Sequence, residues 1–139
     1  MVLLATAILV VAGAQRCDES TAPDRAEEVR IELAVSGGFA GVDWLVTIDG
    51  AAGRIVGERC RRALDCDWSE GEVLATVEPE RLLVLARRFA DEGFLALPRS
   101  DYGTECCDQF EYSLTYVDGD DQRTVTGSDG TLPGSAARL

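Results

Sequence analysis

The chain of 139 residues contains no histidine and no lysine, so its 13 basic residues are all arginines. Without histidine, the chain lacks the commonest general base and the commonest metal ligand. Without lysine, it lacks the amine that forms Schiff bases. A carboxylate pair of the kind that glycosidases use is still available. The 25 acidic residues are nevertheless scattered over strand, turn and helix-start positions. We therefore expect a protein that is not an enzyme and uses no cofactor.

Positive charge is scarce as well. The acidic residues outnumber the arginines and give a formal net charge of −12 at pH 7. Such a chain repels phosphate backbones, so nucleic-acid binding is not expected. The charge favours an electropositive partner, although the same acidic residues can serve solubility alone. The length suits one domain, for which we expect a monomer.

A long apolar run is found at the N-terminus, where residues 2–11 precede Ala12-Gly13-Ala14. This small-x-small pattern indicates signal-peptidase cleavage, and the run is shorter than the ~20 residues of a membrane-spanning helix. We expect residues 1–14 to be a signal peptide and residues 15–28, which are polar and acidic, to be a flexible tether. Residues 29–139 would then form a domain that is secreted or held in the cell envelope. Lipidation at Cys17 is the less favoured alternative, because Gln15 and Arg16 do not suit a lipobox.

The remaining four cysteines lie in two loop regions, as Cys60 and Cys66 in the first and Cys106 and Cys107 in the second. In an exported chain they are expected to form disulfides. Three pairings are open, and bonds between the loops are favoured because neighbouring side chains on an extended chain point in opposite directions. A zinc site is the alternative, but the spacing lacks the usual short C-x₂₋₄-C pairs. We therefore expect disulfides and no metal.

Alternating apolar residues predict a β-hairpin over residues 29–36 and 42–49, followed by a third strand near residues 54–58. A helix should begin at Pro79 and end at Gly93, with a buried stripe of Leu82, Leu85, Ala86 and Phe89. A second hairpin should follow over residues 110–116 and 123–126. Its acidic turn at residues 118–121 falls short of a calcium-binding loop. This order predicts an α+β fold, a mostly antiparallel sheet built from two hairpins with one helix packed on one face.

Four stretches carry a family resemblance: SGGFAG (36–41), the helix end FADEGFLALP (89–98), DQFEYSLT (108–115) and DGDDQRTVT (118–126). In these stretches the chain resembles the emfourin-like family, small bacterial inhibitors of thermolysin-type (M4) zinc metalloproteases. The resemblance covers residues 29–133, and residues 60–77 look like an insertion in it. It implies a secreted protease inhibitor. The alternative is an extracellular or envelope binding module of unknown partner, without inhibitory activity.

The resemblance also implies a partner-binding site, the loop made of Ser36, Gly37, Gly38, Phe39, Ala40 and Gly41. Two interpretations of Phe39 are open. Its ring either folds back onto Trp44 or the helix and closes the core, or projects towards the hydrophobic pocket that thermolysin-type proteases have beside their zinc. The glycines permit positive φ and a close approach of the backbone in either case.

Overall fold

A computed structural model describes residue 23 and residues 25–61, 68–103 and 108–139. Within these residues the chain forms six strands and one α-helix, together with short 3₁₀ turns at Ala26–Glu28, Phe94–Ala96 and Ala136–Arg138. The strands and the helix are, in chain order, β1 (Val29–Gly37), β2 (Val42–Asp49), β3 (Arg54–Arg61), β4 (Glu72–Thr76), α1 (Pro79–Asp91), β5 (Phe110–Asp118) and β6 (Asp121–Ser128).

The six strands form one sheet in the order β4-β3-β2-β1-β5-β6, and the named pairs are all antiparallel. Leu33 of the central strand β1 lies opposite Val46 of β2 and Leu114 of β5. Because side chains alternate along each strand, this register places the apolar residues of β1, β2 and β5 on one face. The predicted α+β fold with a mostly antiparallel sheet is confirmed.

The core lies where α1 crosses that apolar face. Leu82, Ala86 and Phe89 of α1 are buried, and the Phe89 ring stacks on Tyr116 of β5 with 4.3 Å between centroids. Phe94, just beyond the helix, meets Phe89 edge-on at 5.1 Å. Burying each of the large side chains contributes about 1.5–3 kcal/mol. The aromatic cluster therefore attaches the helix to the sheet together with Leu82 and Ala86.

The helix has the predicted ends. Glu78 is extended, Pro79 takes the first helical position, and Gly93 follows the helix in the left-handed conformation at φ 65°. The predicted stripe is confirmed at Leu82, Ala86 and Phe89, whereas Leu85 is only partly buried. Leu85 marks the side of α1 where the sheet is not fully covered.

Residues 60–77, which look like an insertion, contain a strand that the alternation does not predict. The third strand continues past residue 58 to Arg61, and β4 pairs with it at one edge of the sheet. All five residues of β4 are exposed. The Trp68 ring, just before β4, packs over Gly57 of β3 within this hairpin.

The opposite edge of the sheet is partly covered. Thr126 of β6 receives a hydrogen bond from the Tyr102 amide (3.0 Å) and donates one to the Ser100 carbonyl (2.7 Å). Two positions later, the Ser128 amide donates to Thr131 Oγ1 at 2.7 Å. The C-terminal half of β6 therefore has its outward backbone groups paired, whereas β4 is an edge strand whose five residues are all exposed.

Candidate functional site

The glycine loop, residues 36–41, joins β1 to β2. The Gly41 amide donates to the Gly38 carbonyl at 3.0 Å, so Phe39 and Ala40 occupy the two central positions of a tight turn. Gly37, Gly38 and Gly41 have φ values of 95°, 67° and 64°. Residues with a Cβ rarely adopt this region, so the glycines allow the chain to reverse here.

The neighbouring strand β5 holds the loop in place. The Gly38 amide donates to the Gln109 carbonyl at 3.0 Å, immediately before β5 begins. A Cβ on Gly37 would lie 2.7 Å from that carbonyl oxygen, and a Cβ on Gly38 would lie 2.8 Å from the Phe110 ring. The glycines therefore also provide the space for close contact with β5. The base of the loop is thus hydrogen-bonded to the start of β5 as well as lying between β1 and β2.

Phe39 points away from the molecule. Its side chain is 94% exposed, and Ala40 beside it is exposed as well. The interpretation in which Phe39 folds back onto Trp44 or the helix is wrong. Ser36, Gly37, Gly38 and Gly41 are partly buried and form the base that presents the ring. The six predicted site residues thus form a hydrogen-bonded tight turn with one aromatic side chain at its tip.

A second apolar surface, which the sequence did not reveal, lies on the helix side of the sheet. This apolar cleft has a volume of about 580 Å³ and lies between α1, the central strands and residues 129–139. Its walls are made largely of partly buried aliphatic and aromatic side chains, among them Leu33, Trp44, Val46, Leu85, Leu114 and Leu132. Pockets of roughly 300–1,000 Å³ with such walls are typical of small-molecule sites.

One wall of the apolar cleft is polar. The Tyr112 hydroxyl donates a hydrogen bond to Asp129 Oδ1 at 2.6 Å, and both residues line the cleft. The hydrogen bond to Asp129, followed by burial and by the negative charge of Asp129, raises the pKa of Tyr112 to about 12. At neutral pH the phenol therefore stays protonated and holds the carboxylate in position.

The dimensions of the elements could have indicated this cleft. A helix of 13 residues is about 20 Å long and about 10 Å wide. A sheet of six strands measures about 24 Å between its outer strands, and a strand of nine residues is about 30 Å long. One helix therefore covers about a quarter of the face, and the apolar residues beyond it need another neighbour.

The predicted disulfide site lies mostly outside the described residues. Cys60 is in β3 opposite Trp44. Cys17, Cys66, Cys106 and Cys107 are outside the described residues, so the pairing stays a prediction. Residues 1–14, predicted as a signal peptide, also lie outside. Within the predicted tether, Ala26–Glu28 form a 3₁₀ turn in which Ala26 is buried.

Two kinds of feature are absent from the described part of the chain. There, no group of three or more acidic or cysteine residues is arranged to hold a metal ion. None of the described helices is both long enough and apolar enough to span a membrane. The acidic residues 118–121 form the hairpin turn between β5 and β6, with Gly119 at φ 58°.

No protein-family model matches the chain, and no curated protein matches it significantly. The features of this chain that bear on function are therefore the glycine loop, the apolar cleft and the four short motifs.

Proposed function

We propose that the protein is a secreted inhibitor of a thermolysin-type (M4) zinc metalloprotease and that it binds the enzyme through the glycine loop. The observation that carries this proposal is Phe39, a phenylalanine 94% exposed at the tip of a tight turn. Phe39 is far more exposed than Val73, Leu74 and Val84, the other exposed large apolar residues of the described chain, and this favours a role in contact with a partner. The motif resemblance to the emfourin-like family supplies the class of that partner.

The loop has the physical properties that an inhibitory contact needs. Its backbone is fixed by the Gly41–Gly38 and Gly38–Gln109 hydrogen bonds before any partner arrives. Binding then loses little conformational entropy, which is how preorganised loops gain affinity. An aromatic side chain that enters a desolvated pocket is also a frequent hot spot, because it brings a large apolar area at little entropic cost.

The mode of inhibition follows from the composition of the loop. Its six residues contain no carboxylate, thiol or imidazole, which are the side chains that bind zinc in proteins. Phe39 would therefore occupy the hydrophobic pocket beside the zinc and block substrate without removing the metal. We expect inhibition to be reversible on dilution and unaffected by added zinc, whereas a chelating inhibitor would lose its effect when zinc is added.

Truncation of Phe39 tests the proposal directly. Hydrolysis of a peptide substrate by thermolysin is measured at increasing concentrations of the oxidised protein. Phe39→Ala should weaken inhibition about 30-fold or more, which corresponds to about 2 kcal/mol for a buried aromatic anchor. Its melting temperature should stay close to that of the wild type, because the ring makes few contacts within the folded chain.

Val84→Ala is the matched control. Val84 is another exposed apolar residue, 56% exposed on α1 and remote in sequence from the loop. This variant should inhibit as well as the wild type. The proposal fails if the wild-type protein does not inhibit thermolysin-type enzymes, or if Phe39→Ala and Val84→Ala inhibit equally well.

A further inference from the structure

We propose that the apolar cleft is a binding site for a small cationic amphiphile, a molecule with an apolar body and an ammonium head group. The cleft is formed by α1, by β1, β2 and β5, and by residues 129–139. The glycine loop does not line it, so the proposal does not depend on protease inhibition.

The apolar part of the ligand is specified by the walls. Leu33 and Val46 come from adjacent strands, and Leu85 faces them from α1. These side chains remain only partly buried, although they belong to the same sheet face as the core. A volume of about 580 Å³ accommodates an alkyl chain or a small ring system. Filling the cleft would remove this apolar surface from water.

The charge of the ligand is specified by Asp129. Its Oδ1 atom accepts the Tyr112 hydroxyl at 2.6 Å, and an ionised carboxylate can accept further hydrogen bonds. None of the described residues that line the cleft is basic. The nearby Arg138 already donates from Nε to Glu92 Oε1 at 3.0 Å. An ammonium group would therefore find an acceptor and an opposite charge, whereas an anionic head group would meet only a carboxylate.

Two other occupants are less well suited to this charge pattern. A second copy of the chain would bring another net charge of −12 close to the first, which opposes association. The apolar residues 2–11 offer no cationic group for Asp129. Both are distinguishable outcomes of the experiment below.

The experiment uses the full chain and two probes of equal apolar length, decylammonium and decanoate, both below their micelle-forming concentrations. Trp44 lines the cleft and reports occupancy through its fluorescence. We expect a saturable change in fluorescence with decylammonium. Decanoate should bind about tenfold more weakly or worse, because its carboxylate would be repelled by Asp129, whereas the ammonium group is attracted. Trp44→Phe should lose most of the signal, because the other tryptophan, Trp68, is not among the residues that line the cleft.

Asp129→Asn tests the charge preference. It should bring the affinities of decylammonium and decanoate to within about threefold of each other. The matched control is Asp120→Asn, which removes the same charge from an exposed position in the turn between β5 and β6 and should leave the preference intact.

Ala137→Phe tests the location, since Ala137 lines the cleft but is exposed, so a larger side chain should not disturb the core. It should weaken decylammonium binding by about tenfold. Val46→Phe fills the cleft from the sheet side and provides a second variant.

Several results would overturn the proposal. The first is the absence of saturable binding, and the second is equal affinity for the two probes in the wild type. The third is binding that survives both cleft-filling variants, and this would assign the binding to residues 2–11 or to another surface. Sedimentation that shows a dimer dissociated by Ala137→Phe would assign the cleft to a second copy. Phe39→Ala should leave decylammonium binding unchanged.

Discussion

The glycine loop and the apolar cleft both keep apolar surface in contact with water, but they are built in opposite ways. The loop is convex and carries a single ring, and its shape comes from backbone hydrogen bonds and three positive-φ glycines. The cleft is concave, and its shape comes from side chains on a helix, three strands and the last residues of the chain. Changes to the backbone of the loop should therefore lower the free energy of unfolding, whereas truncation of Phe39 should not. For the cleft, truncation of the side chains that form its walls should matter more than local backbone changes.

The largest expected effect separates the cleft from the core on the same helix. Leu82→Ala should lower the free energy of unfolding by about 3 kcal/mol, because Leu82 is fully buried against the sheet. Leu85→Ala, one turn further along and facing the cleft, should lower it by only about 1 kcal/mol, since part of that side chain is already solvated.

Urea unfolding of the two variants measures this difference. Equal losses would mean that the cleft is closed in solution and that its walls are ordinary core. That result would remove the contrast between cleft and core on which the ligand proposal depends.

An intermediate effect is expected for the backbone of the loop. Gly37→Ala should lower the free energy of unfolding by about 2–3 kcal/mol, because it combines positive φ with a Cβ placed 2.7 Å from the Gln109 carbonyl oxygen. It should also weaken protease inhibition if the proposed function is right. The measurement is again the urea midpoint, together with the inhibition assay.

Gly119→Ala is the control for Gly37→Ala. Gly119 also has positive φ, at 58°, but a Cβ there would meet no atom within 4 Å. It should therefore cost only about 1 kcal/mol, the strain of the backbone conformation. If both alanine variants lose the same stability, contact with β5 does not hold the loop.

The smallest effect concerns the polar wall of the cleft. The pKa of Tyr112 is about 12 in the folded chain, above the ordinary value of 10.0. A tyrosine with a raised pKa stabilises the native state below its unfolded pKa and loses that contribution as the pH rises from about 10 to about 12. Tyr112 remains partly exposed, so we expect a contribution below about 1 kcal/mol.

Comparison of urea midpoints at about pH 9 and about pH 11 tests this linkage. The wild type should lose more stability over this interval than Tyr112→Phe, which has no phenol to ionise. An equal or greater loss in Tyr112→Phe would show that the hydrogen bond to Asp129 does not persist in solution.

The elements that obey a simple period were predictable from the sequence. Strict alternation indicates β1, β2 and β5, and Pro79 and Gly93 mark the two ends of α1. The stretch that becomes β4 has Val73, Leu74 and Ala75 in succession and no alternation. The pairing of β3 with its neighbours is interrupted by register shifts, which break the period that would otherwise have indicated its full length.

The two candidate sites also differ in how far the sequence predicts them. The position of the glycine loop was readable because its glycines are consecutive in the chain. The direction of Phe39 was not, because a ring on a tight turn can face inwards or outwards with the same local sequence. The lengths of the elements could have indicated that part of the sheet face stays uncovered. The residues of the cleft were not readable, since Leu33, Leu85 and Leu132 are brought together only by the packing of separate elements.

The unequal edges of the sheet determine how this chain could associate with itself. Fibrous growth by strand addition needs two open edges, so that each new copy leaves another edge for the next. The C-terminal half of β6 is occupied by hydrogen bonds to Ser100, Tyr102 and Thr131, whereas β4 is exposed along its full length. An edge-to-edge contact between copies would therefore use β4 on both sides, related by a two-fold axis. In such a pair of molecules the strand left at each outer end is β6, half of whose edge is already hydrogen-bonded within its own chain, which opposes further growth.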